Sequence, residues 1–231
     1  MDHDRPPLAT YQDLARRIEH TLLDPASSED DVRDGCDLAA RYGAACVIVR
    51  PSDIDIAVRA LRGTDTVVGA VVSWPHGFSN TAAKVFETRD LIRRGAREID
   101  AVINTGKLIS RQWPFLETEM MQLASACREE GVTLKAILDV GRLPVEQKLV
   151  ACKIAKRVEA AFVGTTMDYS IEDIRLIAGK CGWRAQVKAG GITNLEQALE
   201  AWDAGAERFG TTGTATILDA WKSRLELPTA P

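Results

Sequence analysis

Histidine and cysteine are scarce in this sequence, and neither forms a cluster. The three histidines lie far apart along the 231 residues, and no two of the five cysteines have the Cys-x-x-Cys spacing of zinc or redox motifs. We therefore expect no metal site and no cofactor. The cysteines are expected to be free and mostly buried, as in a reducing cytoplasm: Cys36, Cys46, Cys127, Cys152 and Cys181.

Long apolar runs and an excess of positive charge are also missing. No apolar stretch approaches the roughly 20 residues of a membrane-spanning helix, and the opening segment MDHDRPPLAT lacks the apolar core of a signal peptide. The 29 Lys and Arg residues against 33 Asp and Glu give a net charge of -4, whereas binding of nucleic-acid phosphates depends on clustered Lys and Arg. We expect a cytoplasmic protein that binds neither membranes nor nucleic acid.

Short apolar runs alternate with longer amphipathic segments along the chain. Most of the runs are rich in Val, Ile and Ala, as in strands that are buried on both faces, and they lie near residue 20 and at 45–50, 66–73, 98–103, 134–140, 160–165, 185–190 and 207–212. Helices are predicted at 28–42, 52–62, 80–95, 114–130, 144–157, 170–180, 194–204 and 213–224. Eight strands and eight helices in strict alternation predict parallel strands joined by crossover helices.

This alternation favours a closed (β/α)8 TIM barrel over an open doubly wound sheet. A doubly wound sheet calls for a glycine-rich turn after its first strand, and HTLLDPASS offers none. No linker or low-complexity tract divides the chain. We therefore expect a single barrel domain over 1–231, with an N-terminal arm of about ten residues.

Ionisable residues lie on several of the predicted strands. Glu19, Asp100, Lys135, Asp139 and Lys188 belong to the first, fourth, fifth and seventh strands, where inward positions are normally branched aliphatics. Burial of a charged group is costly unless it is paired. One interpretation is a structural ion pair, such as Asp100 with Lys188; several such residues together favour a catalytic cluster at the barrel mouth.

Two glycine-containing loops follow the seventh and eighth strands. KAGGITN and RFGTTGTA precede predicted helices, and backbone N–H groups at helix N-termini favour anions. The residues expected to line an anion or hydroxyl site are Thr165, Gly190, Gly191, Gly210, Thr211 and Thr212. Cys46 is expected in the core, and His76 in a solvated loop.

Several segments resemble the deoxyribose-phosphate aldolase family in order and spacing. They are IEHTLL, GFSNTAAKVFETRDLIRRGAREIDAVINTG, LKAILDVGRL, VKAGGIT and ERFGTTGTATIL, within residues 17–218. The resemblance implies a (β/α)8 barrel and metal-free class I aldolase ancestry, in which a sixth-strand lysine forms a Schiff base with the substrate. It also implies that Asp100 and Lys188 match the assisting aspartate and lysine, and that Lys135 matches the fifth-strand lysine.

The chain departs from the family pattern at that Schiff-base lysine. The family has a phrase like FVKTSTGF where this chain reads FVGTTMDY, so Gly164 stands at the lysine position. Asp168 replaces a phosphate-contacting glycine, Thr193 an arginine, and Glu19 a first-strand aspartate. A carboxylate at Asp168 is expected to repel a substrate phosphate.

Three hypotheses follow for the function of this site. Lys188 becomes the Schiff-base lysine with help from Lys135, or Lys188 and Asp100 perform acid–base chemistry without covalent attachment, or catalysis is lost and the barrel acts as a ligand-binding or regulatory protein. The sequence favours a divergent lyase acting on a small carbonyl or sugar-like substrate. Glu19 and Asp139 would complete the polar network, and a homodimer is the assembly considered.

Overall fold

Eight parallel strands form a closed barrel in chain order. The computed structural model describes residues 5–226. Each strand pairs with its sequence neighbours, and β8 returns to pair with β1. The strands are β1 (Ile18–Leu22), β2 (Cys46–Val49), β3 (Val67–Val72), β4 (Glu98–Val102), β5 (Thr133–Leu138), β6 (Phe162–Thr165), β7 (Gln186–Ala189) and β8 (Arg208–Thr211). The predicted (β/α)8 TIM barrel is therefore confirmed.

Ten α-helices accompany the strands within the described residues. They are α1 (Tyr11–Ala15), α2 (Glu29–Arg41), α3 (Ile54–Ala60), α4 (Thr81–Arg93), α5 (Thr105–Ile109), α6 (Trp113–Glu129), α7 (Val145–Arg157), α8 (Ile171–Cys181), α9 (Leu195–Asp203) and α10 (Thr214–Glu226). The sequence did not predict α1 and α5, because five residues are too few for a helical period to be recognised.

Local sequence signals set the ends of the longer helices. Ser28 caps α2 and Ser170 caps α8, each in a capping box with an aspartate three residues on. The glycines that follow several helices have positive φ, which glycine adopts without steric cost: Gly43, Gly63, Gly95, Gly131 and Gly205.

The two faces of the strands bury different chemistry. Aliphatic side chains such as Val47, Ile99 and Leu138 face the helices and form the main core. A second, small apolar cluster in the barrel interior consists of Cys46, Ile48 and Val71 with partly buried neighbours. All five cysteines are free and buried, including Cys46 as expected.

The predicted N-terminal arm falls partly outside the described residues, since 1–4 are not described. Arg5 forms an ion pair with Glu207 at 3.1 Å and lies over the Trp202 ring at 4.0 Å, so this part of the arm packs on the barrel. In residues 5–226, none of the helices combines the length and apolar character needed to cross a membrane.

Candidate active site

A cavity of about 430 Å³ opens at the carboxyl ends of the strands, where (β/α)8 enzymes carry their active sites. Eight of the eleven residues predicted for the site line it: Asp100, Thr165, Lys188, Gly190, Gly191, Gly210, Thr211 and Thr212. The other three, Glu19, Lys135 and Asp139, are buried but do not line the cavity.

Lys188 and Asp100 meet at the cavity wall. Lys188 Nζ forms an ion pair with Asp100 Oδ2 and lies 2.5 Å from Glu19 Oε2. The two residues are only 5% and 3% exposed, so water screens their interaction little. The ion pair that was one interpretation of the sequence is thus present, and it borders open space large enough for a ligand.

Lys135 is fully buried beside this pair and connects three carboxylates. Its Nζ lies 2.6 Å from Glu19 Oε1, 2.5 Å from Glu98 Oε2 and 3.2 Å from Asp100 Oδ1. Burial alone would lower the pKa of Lys135, but Asp100, Glu19 and Glu98 outweigh burial and raise it well above its ordinary value. Lys135 is therefore a permanent ammonium that fixes the position of Asp100.

Glu19 is a fully buried carboxylate that contacts both Lys135 and Lys188. Burial raises its pKa, but the charges of Lys135, Lys188 and Arg208 outweigh burial and lower it to about 2. Glu19 therefore stays ionised and holds both lysines. Because it does not line the cavity, its contacts are with the cluster instead of a ligand.

Sequence reasoning missed two members of this cluster, Glu98 and Arg208. Arg208 lies 3.4 Å from Glu19 Oε1 and 3.3 Å from Glu98 Oε1, so three cations face three carboxylates inside the barrel. Strand alternation could have found both residues. Glu98 precedes Asp100 by two residues on β4, and Arg208 precedes Gly210 by two on β8, which places each pair on the same face.

Gly164 faces the barrel interior beside Lys188. A β-carbon built at Gly164 would lie 3.5 Å from both Cβ and Cδ of Lys188, and 2.5 Å from Ile137 Cδ1. The end of the Ile137 side chain therefore occupies the space that a larger residue at position 164 would need. A side chain introduced there would extend alongside Lys188.

Asp139 and Asp168 lie away from the cavity lining. Asp139 Oδ2 is 2.9 Å from His76 Nδ1 and 3.1 Å from Arg142 Nε, which hold it against the neighbouring loops. Asp168 is exposed, and its Cβ would lie 3.0 Å from a β-carbon at Gly141. Asp168 is therefore not one of the residues that line the cavity, and its repulsion of a ligand phosphate stays a prediction.

Comparison with known proteins places the chain in a family. No protein-family model matches the chain. It is 33% identical over 222 residues to the deoxyribose-phosphate aldolase of Caldanaerobacter subterraneus, covering 93% of this chain and 96% of the relative. It is 35% identical over 220 residues to that of Methanothermobacter thermautotrophicus, covering 92% and 97%. The chain belongs to the deoxyribose-phosphate aldolase family.

A solved structure agrees with this family assignment. The tetrameric deoxyribose-phosphate aldolase of Aeropyrum pernix superimposes with a TM-score of 0.86 at 25% identity, covering 94% of each chain. The chain therefore shares its overall fold with that aldolase.

Proposed function

We propose that this member of the family is a carbon–carbon lyase in which Lys188 and Asp100 act as acid and base on a small carbonyl substrate, without a lysine at position 164. The observation that carries the proposal is the Lys188–Asp100 ion pair on the cavity wall. Lys135 and Glu19 are positioning residues, because each contacts the pair from outside the cavity.

The proposed step is the cleavage of a β-hydroxy carbonyl compound. Asp100 removes the proton of the hydroxyl group, the bond between the hydroxyl carbon and the α-carbon breaks, and its electron pair forms an enolate. Lys188 donates a proton to the enolate oxygen, giving an aldehyde and an enol that becomes a second carbonyl compound. Preorganised charge next to the developing enolate is the main source of acceleration in such a site.

A relocated Schiff base on Lys188 is the second candidate. Lys188 lies between two glycines, since Gly164 is on one side and a β-carbon at Gly210 would be 3.4 Å from Lys188 Cε. These glycines give a carbonyl carbon room to approach Nζ. In this mechanism Asp100 accepts a proton from the lysine, the free amine adds to the aldehyde, and loss of water leaves the imine.

Retro-aldol assays with 3-hydroxybutanal distinguish catalysis from ligand binding alone. We expect Lys188→Met and Asp100→Asn to abolish acetaldehyde release, whereas Lys153→Met, at an exposed lysine of α7, should leave it unchanged. If the wild-type protein releases no acetaldehyde above the Lys188→Met level, the lyase proposal fails and a binding or regulatory role is favoured.

Borohydride trapping then separates the two mechanisms. With acetaldehyde present, a covalent adduct mapped to the peptide of Lys188 would establish the relocated Schiff base. Adducts confined to exposed lysines, in a protein that still turns over 3-hydroxybutanal, would establish noncovalent acid–base chemistry.

We also propose that the chain self-associates, at least as a homodimer. The Aeropyrum pernix relative is tetrameric. Here Phe78 and Phe86 are 73% and 74% exposed, and aromatic side chains are enriched at protein–protein interfaces. Sedimentation equilibrium should give a mass of at least two chains, and a purely monomeric protein at micromolar concentration would contradict this.

A further inference from the structure

We infer that the cavity accepts an uncharged hydroxy carbonyl compound with a hydrocarbon end, in preference to a phosphate monoester. The inference rests on the proposed function for the placement of the reacting carbonyl near Lys188. The ligand class itself follows from the chemistry of the cavity wall.

Much of the cavity lining is apolar. Residues from the loops after β1, β3, β6 and β7 join two interior residues of β2 and β5 in that lining: Leu23, Ile48, Trp74, Ile137, Met167 and Ile192. The polar residues Asp100 and Lys188 belong to the barrel interior. A ligand with its carbonyl at Lys188 can therefore place a hydrocarbon chain against these apolar residues. Burial of that chain contributes in proportion to the apolar area removed from water.

The lining offers little positive charge to a phosphate. In residues 5–226, Lys188 is the one Lys or Arg that lines the cavity, and Asp100 and Glu19 already pair with it. Asp24 adds a carboxylate to the lining. Arg50 lies near Asp24, but it is paired with Asp53 at 2.5 Å and donates to the Asp24 carbonyl at 2.7 Å.

The two glycine-containing loops use several of their backbone donors internally. Gly190 N–H donates to Thr165 Oγ1 at 3.1 Å, and Gly213 N–H donates to Thr211 Oγ1 at 2.8 Å. The N–H of Ile192 donates to the Gly210 carbonyl at 3.0 Å.

Thr193 continues this pattern. Its N–H and its hydroxyl both donate to Gln197 Oε1, each at 2.9 Å. A phosphate that bound to these donors would have to displace their contacts, and it would find no unpaired cation in the lining of the described chain to compensate for its lost hydration. Phosphate binding is therefore disfavoured, although the loops lie where the family resemblance predicts an anion site.

Calorimetric titration with unreactive alcohols tests the ligand class independently of turnover. We expect 1,3-diols from butanediol to octanediol to bind with affinity rising about threefold per added CH2, on the order of a hundredfold over the series. 2-Deoxyribitol 5-phosphate and inorganic phosphate should bind at least tenfold more weakly than octanediol. Equal or tighter binding of 2-deoxyribitol 5-phosphate, or no binding of any diol, would overturn the inference.

Two variants locate the binding. Met167→Ser should weaken octanediol several-fold and leave butanediol unchanged, whereas Met121→Ser, at another exposed methionine on α6, should alter neither. Identical octanediol affinity in wild type and Met167→Ser would overturn the placement of the hydrocarbon end. Diol binding with these properties in a protein without lyase activity would leave the ligand class standing and reject the proposed function, so the two failures are distinguishable.

Discussion

Gly164 and Lys188 lie side by side on β6 and β7, so that a β-carbon at Gly164 would contact Lys188 Cβ at 3.5 Å. The absence of a side chain at Gly164 leaves Lys188 as the one lysine in the cavity lining of the described chain. A lysine nucleophile in this cavity would therefore have to be Lys188.

This arrangement predicts very weak or absent cleavage of 2-deoxyribose 5-phosphate. The reason is that the lysine expected at position 164 is missing and that Lys188, the one Lys or Arg in the cavity lining of the described chain, is already paired with carboxylates. Acetaldehyde release can be measured with alcohol dehydrogenase and NADH, beside the Methanothermobacter thermautotrophicus relative as positive control. A rate comparable to the control would contradict the prediction.

The charge balance of the buried cluster gives a stability prediction. Lys135→Met leaves three carboxylates facing two cations, and loss of one partner from a buried ion pair costs roughly 3–5 kcal/mol. Adding Glu98→Gln removes the carboxylate 2.5 Å from Lys135 Nζ and should restore part of that loss. Urea unfolding of the two single variants and the double variant measures the coupling.

Strict additivity in that cycle would show that Glu98 and Lys135 do not interact. Lys153→Met serves as the control for loss of an exposed lysine and should change the free energy of unfolding by less than about 0.5 kcal/mol.

His20 gives a prediction for the dependence of stability on pH. It belongs to β1, with Nδ1 2.9 Å from Thr214 Oγ1, and burial lowers its pKa to about 4 from the ordinary value of 6.5. Between pH 6.5 and about pH 4, the His20 side chain is protonated in the unfolded chain and neutral in the native state. The contribution of His20 is therefore most favourable above pH 6.5 and becomes less favourable as the pH falls towards 4.

An NMR titration of the His20 ring protons measures this pKa directly. Protonation of His20 in the native protein near pH 6.5 would contradict the prediction. His20→Asn should show a smaller loss of unfolding free energy between pH 6.5 and 4 than the wild type, as measured by urea unfolding.

The sequence predicted the barrel well because its signals are local. Most of the buried strands are short runs rich in Val, Ile and Ala, and capping residues such as Ser28 and Ser170 mark helix starts. Helix α1 was missed because its five residues are too few to show a helical period.

The site was predicted less completely because it depends on convergence in space. Asp139 follows Ile137 by two residues and was expected to face the mouth, but its ψ of 70° departs from extended backbone and its carboxylate meets His76. The apolar part of the cavity lining combines loop residues such as Leu23 and Trp74, which lie far apart in the sequence and share no motif that predicts their proximity.

Restoring a lysine at position 164 tests the geometry of the site most directly. A side chain there would collide with Ile137 Cδ1, 2.5 Å from the new β-carbon, so Gly164→Lys is best combined with Ile137→Val, which removes that atom. The Ile→Val change costs about 0.5–1.5 kcal/mol. The new amine would be partly desolvated and next to the Lys188 cation, and both effects favour a reactive neutral amine. We expect acetaldehyde and borohydride to give an adduct at residue 164.

The matched control for this variant is Gly179→Lys, at an exposed helical glycine with nothing within 4 Å of the new β-carbon. It adds the same amine in water, where the protonated form dominates, so its adduct should be much weaker at neutral pH. Activity on 3-hydroxybutanal should rise only partly in the double variant, because a placement error of about 1 Å can cost on the order of a hundredfold in rate. A folded double variant that is trapped no faster than Gly179→Lys would contradict the prediction. It would mean that a lysine at position 164 does not reach the cavity in a position to form an imine.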